Sequence, residues 1–161
     1  MSAPPPMRRT GVFDLLVPLV VIGITVYTLL RVTYDTIPPL HYFVPVPLAA
    51  LAVAEVVVAR RVRAAVRHER YAKAMTAIAI ARCVALGKAS AVGGAAVVGA
   101  SAALLARVVP EAATVRAALN DARVGALLLG AAILITISGL VLERAGIDPN
   151  RERRDRLPTI D

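Results

Sequence analysis

The chain has 161 residues, of which 58% are hydrophobic and only 4% are aromatic, and its formal net charge is +8 at pH 7. Soluble domains are about 45–50% apolar, so this composition and a mean hydropathy of +0.69 favour membrane segments joined by basic loops. A basic nucleic-acid-binding protein is the competing interpretation. The only cysteine, Cys83, excludes an internal disulfide and a pair of cysteine ligands for a metal.

Four apolar segments follow one another along the chain and predict an all-α, integral membrane four-helix bundle. A helix needs about 20 apolar residues to cross about 30 Å of hydrocarbon. The predicted spans are about 12–32, 43–62, 83–106 and 122–143. Residues 12–145 are therefore expected to form the transmembrane domain, between a cytoplasmic tail at 1–11 and a charged tail at 146–161 that is expected to be disordered.

Basic residues are concentrated in both terminal tails and in the link at 60–73, which together hold most of the 19 lysines and arginines. The link between the first two spans, "YDTIPPLHY", holds none. Because cytoplasmic loops are enriched in Lys and Arg, we expect a multi-pass protein of the cell membrane with both termini and the 60–73 link in the cytoplasm.

The 60–73 link has two open interpretations. Either its basic side chains bind anionic lipid at the surface of the lipid bilayer, or the link serves only to set the topology. Tyr71 is the only aromatic residue among its charges, and the segment adjoins a membrane, so we expect no nucleic-acid partner.

Small residues recur every fourth position along the third span, as a helix-packing stripe of Gly87, Ala91, Ala95, Gly99 and Ala103. Such a stripe lets helix backbones approach closely in lipid. The fourth span has a matching set in Ala122, Ala126 and Gly130, so we expect these two consecutive spans to pack on each other. Association with a membrane-protein partner, or with a second copy as a homo-oligomer, is the alternative use of the stripe.

Two charged residues lie inside the apolar segments. Glu55 is about 7 Å, and Lys88 about 9 Å, below the predicted cytoplasmic surface, at 1.5 Å per helical residue. Because an isolated charge is costly in the membrane, we expect Glu55 and Lys88 to form an intramembrane polar pair, with Arg82 as the cation at the interface. A structural pair, snorkelling of Lys88 towards the headgroups, and an ion relay all remain open.

The link between the third and fourth spans, "VPEAATVRAALNDARV", predicts a short outer helix that begins near Pro110. Asn120 or Asp121 would then occupy the N-terminal cap of the fourth span, since short polar side chains accept hydrogen bonds from free backbone N–H groups there.

No pattern typical of an enzyme is present. The sequence has no Gly-rich phosphate loop, no Ser-His-Asp set and no HExxH, and we expect no enzyme activity, no cofactor and no metal. The leading hypothesis is a non-enzymatic accessory or partner-binding subunit in the membrane. The alternative is a small transporter or channel component that uses Glu55 and Lys88.

Three stretches, "TIPPL", "LAVAEVVVARRVRA" and "ARCVALGKASAVGGAAVVGA", resemble a family of small actinobacterial four-span membrane proteins classed as a domain of unknown function. The resemblance covers about residues 12–145, and it implies the four-span fold and gene neighbours in folate biosynthesis. It carries no activity. The family usually has alanine where Gly87 stands. The positions of the family pattern are Pro38, Pro39, Glu55, Arg82, Lys88 and Ser90.

Overall fold

The computed structural model describes residues 10–34, 40–67 and 75–146, and all regular structure within these ranges is helical. The four long helices are α1 (Val12–Thr33), α2 (Val46–Val66), α3 (Ala77–Val108) and α4 (Arg116–Ala145), and a short 3₁₀ turn, Val109–Glu111, follows α3. The predicted all-α class with four helices is confirmed. The predicted tails lie almost entirely outside the described residues, as does the part of the 60–73 link after residue 67.

The helix ends have local causes in the sequence. At the start of α1, the Gly11 N–H donates to the Asp14 carboxylate at 2.9 Å, which satisfies one free donor of the first turn. At the start of α3, the Thr76 hydroxyl accepts from the Ala79 N–H at 3.3 Å. Pro47 lies in the first turn of α2, where a missing N–H costs least.

The predicted capping of α4 is wrong. The helix begins at Arg116 with Val115 before it, and a 3₁₀ turn stands where a separate outer helix was expected. Asn120 and Asp121 therefore lie inside α4. The segment from 116 to 121 contains Ala117, Ala118 and Leu119, which are good helix formers, so the helix extends beyond the apolar part of the chain.

The four helices pack in the order α1, α3, α4, α2, so that α3 and α4 form the centre. The contact between α3 and α4 is the most extensive, α1 packs on α3, and α2 packs on α4 with only slight contact to α3. Buried apolar residues form a cluster at each end of the bundle. One cluster contains Leu30, Leu104, Val108 and Ala118, and the other contains Ala59, Val62, Leu142 and Ala145.

Glycines bring the central helix backbones into close contact. A methyl group added at Gly87 would lie 2.7 Å from the Gly139 carbonyl oxygen of α4. One added at Gly99 would lie 2.0 Å from the Leu19 carbonyl oxygen of α1. Since real methyl carbons do not approach other atoms within 3.0 Å, both positions require glycine at these helix spacings. All five residues of the stripe on α3 are buried.

The fourth span meets α3 through different residues from those expected. Gly125 and Gly139 are buried against α3, whereas Ala126 and Gly130 are exposed and Gly130 has nothing within 4 Å of its missing side chain. The expectation that Ala126 and Gly130 face α3 is therefore wrong. Ala122 is half-buried beside the Leu30 cluster.

Three helices are long and apolar enough to cross a membrane: α1, α3 with its 3₁₀ turn, and α4. Their most apolar stretches have mean hydropathies of 2.2, 1.8 and 2.4. The helix α2 is not among them, because it also carries Glu55, Arg60, Arg61 and Arg63. Composition and length thus support three spans directly.

Candidate functional site: a buried carboxyl group between α2 and α4

Glu55 is the ionisable side chain buried at the contact between α2 and α4, and only 2% of it is exposed. It lies on the same face of α2 as Ala52, Ala59 and Val62, at helical spacings of three and four residues, and these residues are also buried. The packing of α2 on α4 therefore carries the carboxyl group away from solvent.

Ser138 of α4 is the described hydrogen-bond partner of this carboxyl group. Its hydroxyl oxygen lies 2.8 Å from Glu55 Oε2 and 3.0 Å from the carbonyl oxygen of Ile135, one turn earlier in the same helix. The second carboxyl oxygen, Glu55 Oε1, is buried and has no hydrogen-bond partner among the described residues. A buried oxygen without a hydrogen-bond partner costs stability, so the position of Glu55 Oε1 calls for an explanation.

Lys88, the expected partner, lies at the same level of the bundle but is exposed. The level follows from its neighbour Gly87, which packs on Gly139, the residue next to Ser138. The pairing of Glu55 with Lys88 stays a prediction. Arg82, the expected interface cation, is also exposed and precedes Lys88 on α3.

A second buried carboxyl group, Glu143, lies at the same end of α4. It is 4% exposed, and its Oε1 accepts a hydrogen bond of 2.8 Å from the Thr10 N–H, just before α1. Its Oε2 and the Thr10 hydroxyl are buried without hydrogen-bond partners among the described residues. Glu143 thus joins the start of α1 to the end of α4 across the bundle.

A polar network closes the opposite end. Asp121 of α4 is buried and accepts hydrogen bonds of 2.9 Å from the Tyr34 hydroxyl and from the Leu40 N–H, while the Asn120 amide donates to the Leu40 carbonyl oxygen at 3.0 Å. Arg107 pairs with Glu111 and stands over the Tyr34 ring, 5.1 Å from its centroid. Tyr34, just after α1, and Leu40, ahead of α2, are thereby tied to α4.

The environment of Tyr34 changes its titration. Burial, together with the hydrogen bond to Asp121, raises the pKa of Tyr34 from 10.0 to about 12, because the phenolate would lose solvation and face a carboxylate. Tyr34 follows the last residue of α1. It therefore serves as a reporter for the network at that end.

The sequence singled out Glu55 and assigned Asn120 and Asp121 a capping role that they do not have, while Glu143 and Ser138 were not predicted as members of these polar contacts. Glu143 and Asp121 were visible as acids at the edges of an apolar segment, a position that often signals a buried polar role. Ser138 had no signal in the sequence, because a serine in an apolar helix usually bonds to its own preceding turn.

The fold defines a helical bundle in which three helices are apolar enough to span a membrane, as expected of an integral membrane protein. The chain belongs to the family described as protein of unknown function DUF3180, whose family model matches residues 15–149. No curated protein and no solved structure matches it. An actinobacterial origin and gene neighbours in folate biosynthesis stay predictions from the resemblance.

Proposed function

We propose that this chain is a four-span protein of the cell membrane, with both termini in the cytoplasm, that acts as a non-enzymatic accessory or partner-binding subunit. The observation that carries the membrane assignment is that apolar side chains lie on the outside of the bundle. The most apolar stretch of α1 has a mean hydropathy of 2.2 and contains no buried residue. Such a surface is stable against hydrocarbon and would aggregate in water.

The helix α2 is the fourth span in this proposal. From Val46 to Ala59 it is apolar except for Glu55, and Glu55 is turned towards α4 while Leu51 and Val53 are exposed. This part is about 21 Å long at 1.5 Å per residue, shorter than the bilayer core. Local thinning of the bilayer and snorkelling of Arg60 compensate for the difference.

The orientation rests on charges that the fold gathers at one end. The cluster of Ala59, Val62, Leu142 and Ala145 joins the end of α2, the start of α3 and the end of α4. The exposed arginines at this end, among the described residues, are Arg60, Arg61, Arg63, Arg67, Arg82 and Arg144. The positive-inside rule favours the cytoplasm for it, and exposed arginines of the 60–73 link would contact anionic lipid.

Reporter fusions test the topology. Fusions after residue 65 and after Asp161 should give a cytoplasmic signal, and fusions near Pro39 and Glu111 an external one. An external signal after residue 65 would contradict the four-span arrangement, because α2 would then fail to return the chain to the cytoplasm.

The partner-binding role is supported by small residues that face outwards. Ala126 and Gly130 on α4 and Gly93 on α3 are exposed, and neither glycine has an atom within 4 Å of its missing side chain. Helices associate in lipid through such residues, so a membrane-protein partner or a second copy would pack there. Gly130→Leu should reduce crosslinking in native membranes, whereas Ile137→Leu, at an exposed α4 position of ordinary size, should not. Equal crosslinking in both variants would contradict this surface.

The alternative function is a small transporter or channel component that uses Glu55 and Lys88. The burial of Glu55 favours it, since acids inside a membrane bundle often belong to ion pathways. A double-mutant cycle with Glu55→Gln and Lys88→Met measures the coupling in a detergent unfolding titration. An ion pair predicts a coupling of about 1 kcal/mol, and additive effects would remove the pair.

A further inference from the structure

The contacts of the Ser138 hydroxyl constrain the protonation of Glu55. This oxygen lies within hydrogen-bond distance of Glu55 Oε2, at 2.8 Å, and of the Ile135 carbonyl oxygen, at 3.0 Å. A serine hydroxyl has one proton to donate and lone pairs to accept with. A carbonyl oxygen and an ionised carboxylate are both acceptors, so the single hydroxyl proton can make a full hydrogen bond to only one of them.

We infer that Glu55 is a proton-binding site: its Oε2 carries a bound proton and donates it in a hydrogen bond to Ser138 Oγ, while the Ser138 hydroxyl donates to the Ile135 carbonyl oxygen. Each short contact then has its own proton. A serine in a helix usually donates to a carbonyl oxygen of the preceding turn. Here the same hydroxyl also accepts a hydrogen bond from Glu55.

The second carboxyl oxygen agrees with this assignment. Glu55 Oε1 is buried without a hydrogen-bond partner among the described residues. In an ionised carboxylate this oxygen would hold a share of a negative charge in an apolar contact, which is far more costly than leaving the carbonyl oxygen of a neutral acid without a partner. A proton bound to Glu55 neutralises this negative charge.

The charged groups around the site are distributed unevenly. Glu143, the other buried acid at this end of α4, accepts a hydrogen bond from the Thr10 N–H and brings no positive charge to the site. The basic residues nearest to the site along each helix, namely Lys88 on α3, Arg144 on α4 and Arg60 on α2, are exposed. Solvent and headgroups screen exposed cations, so they compensate a buried carboxylate less than a bound proton does.

This inference goes beyond the accessory role and does not depend on it, since the hydroxyl contacts and the burial of Glu55 are properties of the fold itself. It is an alternative to the ion pair with Lys88, because that pair requires an ionised Glu55.

Infrared spectroscopy of the full chain in detergent or lipid at neutral pH tests the assignment. The spectrum should contain a carbonyl stretching band of a protonated carboxylic acid that is lost in Glu55→Gln and retained in Glu143→Gln, the matched buried glutamate. Glu55→Gln should also keep the wild-type unfolding midpoint, since the neutral amide N–H still donates to Ser138.

Two further variants keep the test decisive if Glu55→Gln does not fold. Ser138→Ala removes the acceptor of the proton and should shift the band, and Lys88→Met should leave it unchanged. The inference would be overturned if Glu55→Gln removed a carboxylate band rather than an acid band. It would also be overturned if Ser138→Ala left the acid band unchanged, or if Glu55→Gln and Lys88→Met had non-additive effects on the free energy of unfolding.

Discussion

Among the glycines of the described residues, Gly99 leaves the least room for an added methyl group, and replacing this glycine by alanine tests how α1 is held. A methyl group there would lie 2.0 Å from the Leu19 carbonyl oxygen, against 3.4 Å for ordinary contact. The helix α1 would have to move outwards by about 1.4 Å, since backbone cannot turn away as a side chain can. Along its length α1 packs on α3, and the hydrogen bonds of Thr10 and Tyr34 to α4 lie beyond its two ends.

The expected magnitude combines two effects of opposite sign. Overpacking a close contact costs about 1–3 kcal/mol. Replacing glycine by alanine inside a helix stabilises it by about 1 kcal/mol. Gly93→Ala, six residues earlier on the same helix, has the second effect without the first, because nothing lies within 4 Å of its new methyl group. The difference between Gly99→Ala and Gly93→Ala therefore isolates the packing cost, and we expect about 1–3 kcal/mol.

The assay is a reversible unfolding titration of both variants in mixed detergent micelles. Far-UV circular dichroism follows the helices, and the chain has no tryptophan to serve as a fluorescent probe. We expect Gly93→Ala to match or exceed the wild-type free energy of unfolding and Gly99→Ala to fall below it. Equal free energies for the two variants would refute the close packing of α1 on α3 at this point.

Two further predictions concern other contacts of the bundle. Gly139→Ala should destabilise the α3–α4 contact by about 1–3 kcal/mol relative to the exposed control Gly130→Ala in the same titration, because its methyl group would meet the Gly87 carbonyl oxygen at 2.6 Å; equal stability would contradict that contact. In an ultraviolet titration, Tyr34→Phe should remove a tyrosine ionisation near pH 12 rather than one near pH 10. Asp121→Asn should lower the pKa of Tyr34. Because the folded-state pKa is raised, the contribution of Tyr34 to stability should be complete below pH 10 and lost as the pH rises through about 12. Ionisation of Tyr34 near pH 10 would contradict the network at that end.

Local chemistry determined much of the fold. The apolar segments alone predicted four helices, and all four are present, because burial of apolar side chains and internal backbone hydrogen bonding both favour helices in such segments. Gly146, at the end of α4, and the prolines before and within the first turn of α2 mark helix ends for backbone reasons that neighbours do not change. The sequence predicted the start of α4 wrongly, since apolarity marks where a helix enters lipid, not where helical backbone begins.

Only the tertiary structure decided which faces meet. Two sets of small residues on α4 have similar spacing, yet Gly139 packs on α3 and Gly130 faces outwards. Periodicity shows that residues share a face of a helix but not the direction in which that face points. The same holds for Glu55. Its cost in an apolar segment and its depth can be read from the sequence, whereas its contact with Ser138, 83 residues away, depends on how α2 is rotated against α4. Rotation is set by the sum of many packing contacts over the whole bundle, and no short stretch of sequence contains that sum.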